Sequence, residues 1–277
     1  MNVIERNNVH LQGRGDAPMV FAHGYGCDQM MWRLVEPVFR PRYQTLLFDH
    51  VGAGGSDISA YNRVKYATLH GYADDLLELC EELDLHDIIF VGHSVGATVG
   101  ALAALEQPAR FRHLVLVAPN PCFLREDGYN GGLEKGAIQD LLRSLESNFD
   151  AWARAMAPLI MGNPQRPELG QELAASFCRT KPDIAKHFAQ VTFLADHRAD
   201  FGALTLPTLI LQSRNDLIAP PCVGQFLHEN IKGSVLAELT AEGHCPHVSA
   251  ASETIAAIET YLDRPQRRSL VSAPPAR

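Results

Sequence analysis

Apolar residues in this chain alternate between two patterns. Short continuous runs occur at 9–11, 19–22, 45–48, 88–91, 114–117, 206–212 and 235–239, and each is brief and β-branched or aromatic enough to read as a strand. Between them, apolar positions recur at helical spacing. Tyr72, Leu76, Leu79, Cys80 and Leu83 mark a helix over 69–83, and similar spacing predicts helices over 30–39, 97–105, 223–230 and 253–262. Short apolar strands alternating with amphipathic helices predict an α/β class built on a mostly parallel sheet with helices on both faces.

The rhythm stops at Pro119. From 122 to 195 the pattern predicts helices only, broken at Gly131-Gly132, Asn163-Pro164 and Lys181-Pro182. The alternation resumes at 206. One core formed by 1–122 and 195–262 therefore carries a helical insertion over 123–194. An insertion after a sheet strand lies above the carboxyl ends of the strands, where ligands bind in such sheets. No internal repeat is visible. Residues 263–277, with Arg264, Arg267, Arg268 and Arg277 among Pro and Ser, read as a disordered, solvated tail.

Composition narrows the function classes. The chain is 46% hydrophobic and 20% charged with a net charge of −8, which disfavours a nucleic-acid surface. No apolar stretch is long enough to span a membrane, and the first residues lack the apolar core of a signal peptide. Six cysteines are scattered without a Cys-x-x-Cys pair, which fits reduced thiols in the cytoplasm. No heptad or exposed edge strand is evident, so a monomer is expected.

The chemistry concentrates in one segment. The strand at 88–91 runs into Gly92-His93-Ser94-Val95-Gly96 and then a small-residue helix. Glycines at both ends allow strand and helix to approach closely, while the serine is held on a strained turn with its hydroxyl exposed. A serine hydroxyl needs a base, and the base needs an orienting acid. Hydrolases with this elbow carry them in the order Ser, Asp or Glu, His. Asp216 follows the strand at 206–212, and His244 follows the strand at 235–239. Ser94, Asp216 and His244 are thus the candidate catalytic triad. The alternatives are a structural turn serine at 94, Asp196 or Asp200 as the acid, and His247 as the base. Asp196 and Asp200 precede their strand and read as hinge residues of the insertion. The oxyanion hole needs two backbone N–H groups, assigned to Val95 and Tyr25. His93 is expected to point away along the elbow in a structural role. A metal site at His244, Cys245 and His247 is disfavoured because Pro246 stiffens the run. Asp49 with Gly52, Gly54 and Gly55 hints at a dinucleotide loop but lacks the third glycine, so no cofactor is expected.

The elbow resembles that of the α/β-hydrolases. Further segments sharpen the resemblance: Gly26-Cys27-Asp28-Gln29, Leu47-Phe48-Asp49-His50-Val51-Gly52, Ala195-Asp196-His197-Arg198 and Gly243-His244-Cys245-Pro246-His247. They are similar to the RsbQ type of bacterial sigma-B regulators and to the karrikin- and strigolactone-receptor hydrolases of plants. The similarity runs from about Val9 to Leu262. It implies a four-helix lid over a closed apolar pocket and a serine hydrolase that signals, together with a PAS-domain partner and a small hydrophobic ligand or substrate. Serine rather than aspartate at 94 points to acyl transfer on an ester or lactone. Phe123, Trp152 and Phe193 are the candidate pocket residues, drawn from a lid rich in large apolar side chains. The family usually has Phe where this chain has Tyr25, so the added hydroxyl is expected near the acyl oxygen.

Overall fold

The computed structural model describes residues 2–264; the predicted tail beyond Arg264 lies outside the described residues. The chain opens with α1 (Val3–Arg6), β1 (His10–Gly13) and β2 (Pro18–Ala22), passes through a 3₁₀ turn (Gln29–Trp32) and α2 (Glu36–Phe39), and enters β3 (Gln44–Leu47). Next come α3 (His70–Glu82), β4 (Ile88–His93), α4 (Val95–Glu106) and β5 (Phe111–Val117). The insertion holds a hairpin, β6 (Arg125–Glu126) and β7 (Tyr129–Asn130), then α5 (Lys135–Ser147), α6 (Phe149–Met161), α7 (Pro167–Arg179) and α8 (Pro182–Phe193). The core resumes with α9 (Arg198–Gly202), β8 (Thr208–Gln212), α10 (Pro221–Asn230), β9 (Val235–Glu238), α11 (Pro246–Ser249) and α12 (Ala251–Leu262).

Seven strands form one sheet in the order β1-β3-β2-β4-β5-β8-β9. Only β1 runs antiparallel to its neighbour. The two-residue period of a strand sorts its side chains into two layers. Met19, Phe21, Val91, Val115 and Val117 pack with Trp32, Phe39 and Ile258. Val20, Ala22, Phe90, Leu114 and Leu116 pack under α3 and α4 against Tyr72, Leu76 and Val99. The inner strands β2, β4, β5 and β8 are covered on both faces and read as near-continuous apolar runs, whereas the edge strand β1 is exposed throughout. The four long helices of the insertion gather a third apolar cluster that includes Phe149, Trp152, Leu173, Phe177 and Phe193. Its two ends meet at the neck: Cys122 and Asp196 pair in an antiparallel bridge, and the His197 N–H donates to the Pro121 carbonyl at 2.8 Å.

Three expectations are corrected. The single helix over 30–39 is a 3₁₀ turn followed by the short α2. Pro37 has no N–H to bond backwards, which is tolerated only in the first turn of a helix, so a new helix starts around it. The segment 122–195 is not helical throughout. Asp127-Gly128 sits between β6 and β7, Gly128 takes φ +81°, and Asp-Gly is a strong two-residue hairpin signal. Finally, α1, α9 and α11 are too short for their periodicity to register. Among the described residues, no helix is long and apolar enough to cross a membrane.

Helix α4 is buried from Val95 to Ala104 and lies directly on β4. A Cβ on Gly100 would sit 1.9 Å from the Phe90 ring. Gly100→Ala is therefore expected to overpack this contact and destabilise the protein by about 1–3 kcal/mol, read as a lower urea midpoint at unchanged slope.

Candidate active site

Ser94 ends β4 and begins α4 with φ +54° and ψ −123°. A non-glycine residue there is strained and persists only when its surroundings over-determine it. Its own N–H is tied to the Val117 carbonyl at 2.9 Å, extending the β4–β5 ladder past the turn. On the helix side, a Cβ on Gly96 would lie 2.5 Å from the His23 carbonyl oxygen, so only glycine lets α4 start this close to β2.

The loops after β8 and β9 deliver the partners. His244 Nε2 lies 2.7 Å from Ser94 Oγ, and His244 Nδ1 lies 2.8 Å from Asp216 Oδ2. The other oxygen of Asp216 accepts the N–H groups of Ile218 and Ala219 at 2.8 and 2.9 Å, which orients the carboxylate. All three side chains are buried. The backbone of His244 is clamped from two sides: its N–H donates to the Ile160 carbonyl near the end of α6 at 2.9 Å, and its carbonyl accepts from His93 Nε2 at 2.8 Å. Asp196 and Asp200, the rival acids, lie instead near the neck, where Asp196 pairs with Arg198 and Asp200 with His197.

Val95 is the first residue of α4, so its N–H has no carbonyl four residues back. Tyr25 follows Gly24, whose Cβ would lie 3.3 Å from that of Ser94; the early loop therefore runs against the serine. Two histidines lock that loop. The His50 N–H donates to His23 Nε2 at 3.1 Å, so the His23 proton sits on Nδ1 and is donated to the Gly24 carbonyl at 2.9 Å. His50 Nε2 in turn donates to the His23 carbonyl at 3.0 Å. Asp49, a hint of a nucleotide loop in the sequence, braces backbone instead: it accepts the N–H groups of Gln29 and Gly55, both at 2.8 Å.

A cavity opens on Ser94 and His244. Phe123, Trp152 and Phe193 line it, as do Tyr25, Ile160 and Phe177. Its free room is about 30 Å³, space for about two waters.

Two expectations about side-chain direction are overturned. The Tyr25 hydroxyl does not face the acyl oxygen; it donates to the Ala185 carbonyl in α8 at 3.0 Å. The ring is packed among Trp152, Phe177, Phe188 and Phe193, and this packing aims it at the lid. His93 does not point away. Its ring lies 4.9 Å from that of His244 and 4.3 Å from that of His247, which in turn lies 4.5 Å from Trp32. The structural role expected for His93 stands, with its ring bonded to the His244 carbonyl, whereas sequence reasoning missed the bracing roles of His23 and His50 and the packing of His247. Burial lowers the pKa of His50 and His93 and holds His247 at about 3. These three rings stay neutral near pH 7.

A family model described as "Alpha/beta hydrolase family" matches residues 19–258. The chain is 33% identical to a strigolactone esterase of Arabidopsis thaliana, over 95% of this chain and 98% of the relative. It is 34% identical to a karrikin insensitive 2 receptor of Petunia hybrida, over 94% and 97%. Among solved structures, a hydrolase from Oleispira antarctica superposes with a TM-score of 0.92 at 37% identity, covering 95% of this chain and 97% of that one.

Because the folded pKa of His247 is depressed, its contribution to stability is present above the unfolded value of about 6.5 and is lost as pH falls toward 3. Neither ring nitrogen of His247 has a hydrogen-bond partner among the described residues. His247→Leu is therefore expected to flatten the acid limb. Between pH 5.5 and 4 its unfolding free energy should fall about 1.4 kcal/mol less per pH unit than that of the wild type. Equal slopes in urea titrations across this range would rule out the assignment.

Proposed function

The chain belongs to the alpha/beta hydrolase family, and from that premise we propose that it is a serine hydrolase cleaving a small, hydrophobic ester or lactone. The observation that carries this reading is the unbroken relay from Asp216 through His244 to Ser94, ending at a largely apolar cavity. Ser94 Oγ attacks the carbonyl carbon while His244 Nε2 takes its proton. The N–H groups of Val95 and Tyr25 stabilise the oxyanion. His244 then gives the proton to the departing alcohol as the C–O bond breaks, leaving an acyl-serine. Water, deprotonated by His244, releases the acid and restores Ser94. With a lactone the alcohol stays attached and the product is a hydroxy acid. Asp216 holds the imidazole in the right tautomer and stabilises its charged form. Turnover is expected to be slow, with movement of the lid limiting entry and release.

A second reading places this chemistry in a signalling role. It is supported by the likeness to a relative named as a receptor, and by the segments similar to RsbQ-type regulators. On this reading a PAS-domain protein responds to the ligand or its product. The alternative is a metabolic carboxylesterase or lactonase without a partner, which would use the same triad.

Wild-type protein is expected to release nitrophenol from p-nitrophenyl acetate and to gain one fluorophosphonate adduct by intact mass. Ser94→Ala should gain no adduct and lose at least about 10³-fold in kcat. Equal rates for both proteins would sink the triad. For the signalling reading, affinity capture from the native cell is expected to recover a PAS-containing phosphatase, kinase or cyclase; repeated recovery of none favours the metabolic alternative.

A further inference from the structure

Thr192 lies in α8 beside Phe193 and lines the chamber, with only 4% of its surface exposed. Its Oγ1 is buried and finds no hydrogen-bond partner among the described residues. A helical threonine usually disposes of its hydroxyl on a carbonyl one turn back. Thr254 and Thr260 in α12 do so, donating to the carbonyls of Ala250 and Ala256 at 3.2 and 2.6 Å. Thr192 makes no such bond, and a buried orphan hydroxyl in a native fold demands a reason.

The chamber supplies no partner of its own. Ser94 Oγ is engaged with His244, the Tyr25 hydroxyl with Ala185, and His93 Nε2 with the His244 carbonyl. His93 Nδ1 is also unpartnered, but it abuts the backbone of Gly24, where a Cβ would lie 2.6 Å away. Most of the remaining lining is aromatic or aliphatic. Thr192 thus brings a hydroxyl without a protein partner to the lining of a chamber whose remaining residues are aromatic, aliphatic or cysteine.

We infer that Thr192 is a specificity-determining residue whose hydroxyl donates to a second oxygen of the substrate, so that the preferred esters or lactones carry an ether or carbonyl oxygen besides the scissile group. This inference rests on the hydrolase reading and narrows its substrate class. A site built to hydrogen-bond an oxygen discriminates against the all-carbon analogue, because the buried hydroxyl is then left unpaired.

The test uses butyl butyrate and analogues in which one methylene at a time is replaced by an ether oxygen, on either side of the ester, leaving the ester and its neighbouring atoms intact. Acid release by wild type, Thr192→Val and Thr192→Ser is followed in a pH-stat. Dissociation constants are read from tryptophan fluorescence on a Ser94→Ala background, with and without Thr192→Val. The expected result is that at least one ether ester loses about tenfold in kcat/KM and in affinity with valine, mainly through KM, while butyl butyrate changes less than about twofold. Serine should restore the preference. Unliganded Thr192→Val should melt at the same or a higher temperature, since an orphan hydroxyl is removed. Uniform losses across the series, no loss at any position, or a lower melting temperature would each overturn the inference. If the wild type hydrolyses nothing, the hydrolase reading fails separately, and the affinities on the Ser94→Ala background still decide the role of Thr192.

Discussion

The left-handed backbone of Ser94 is the constraint on which the site depends. A φ of +54° lifts the hydroxyl out of the sheet and starts α4 in one step. Such a conformation relaxes unless it is held. It is held by the bond from its N–H to Val117 and by the contact of Gly96 with the His23 carbonyl. The same contact brings the early loop, with Tyr25, against the serine. The position of Ser94, the start of α4 and the course of the early loop are consequences of one packing arrangement.

The lid is joined to this arrangement by polar bonds as well as apolar contact. The His244 N–H bonds to α6, the Tyr25 hydroxyl bonds to α8, and Ser176 Oγ in α7 donates to the Gly26 carbonyl at 3.1 Å. Gly243 is pressed so closely against the end of α6 that a Cβ would lie 1.9 Å from the Met161 carbonyl. Each such bond contributes about 0.5–1.5 kcal/mol net. Displacing these helices would therefore strain the loops that carry Tyr25 and His244.

Electrostatics follows from the same close packing. Burial keeps His50, His93 and His247 neutral. On the proposed mechanism His244 gains a positive charge when it takes the serine proton, and additional cations beside it would oppose that charge. Neutral rings can brace the loops without that repulsion, and the mutually tilted rings of Trp32, His247 and His93 pack in series up to His244.

The sequence by itself determined what depends on local period and chain order. Apolar runs marked the strands because a sheet covered on both faces must be apolar on both faces. The elbow was legible because its glycines lie within two residues of Ser94, and Asp216 and His244 were legible because each follows a strand. Even a local signal can be passed over: Asp127-Gly128 announced the hairpin that the helical reading ignored. Only the tertiary structure decided where the Tyr25 hydroxyl goes, which way His93 faces and that Thr192 is left without a partner. Those outcomes are set by residues far apart in the chain, Tyr25 with Ala185 and His93 with His244. A side chain's direction is chosen by whichever distant groups the packing brings within hydrogen-bonding range, and no local pattern encodes that choice.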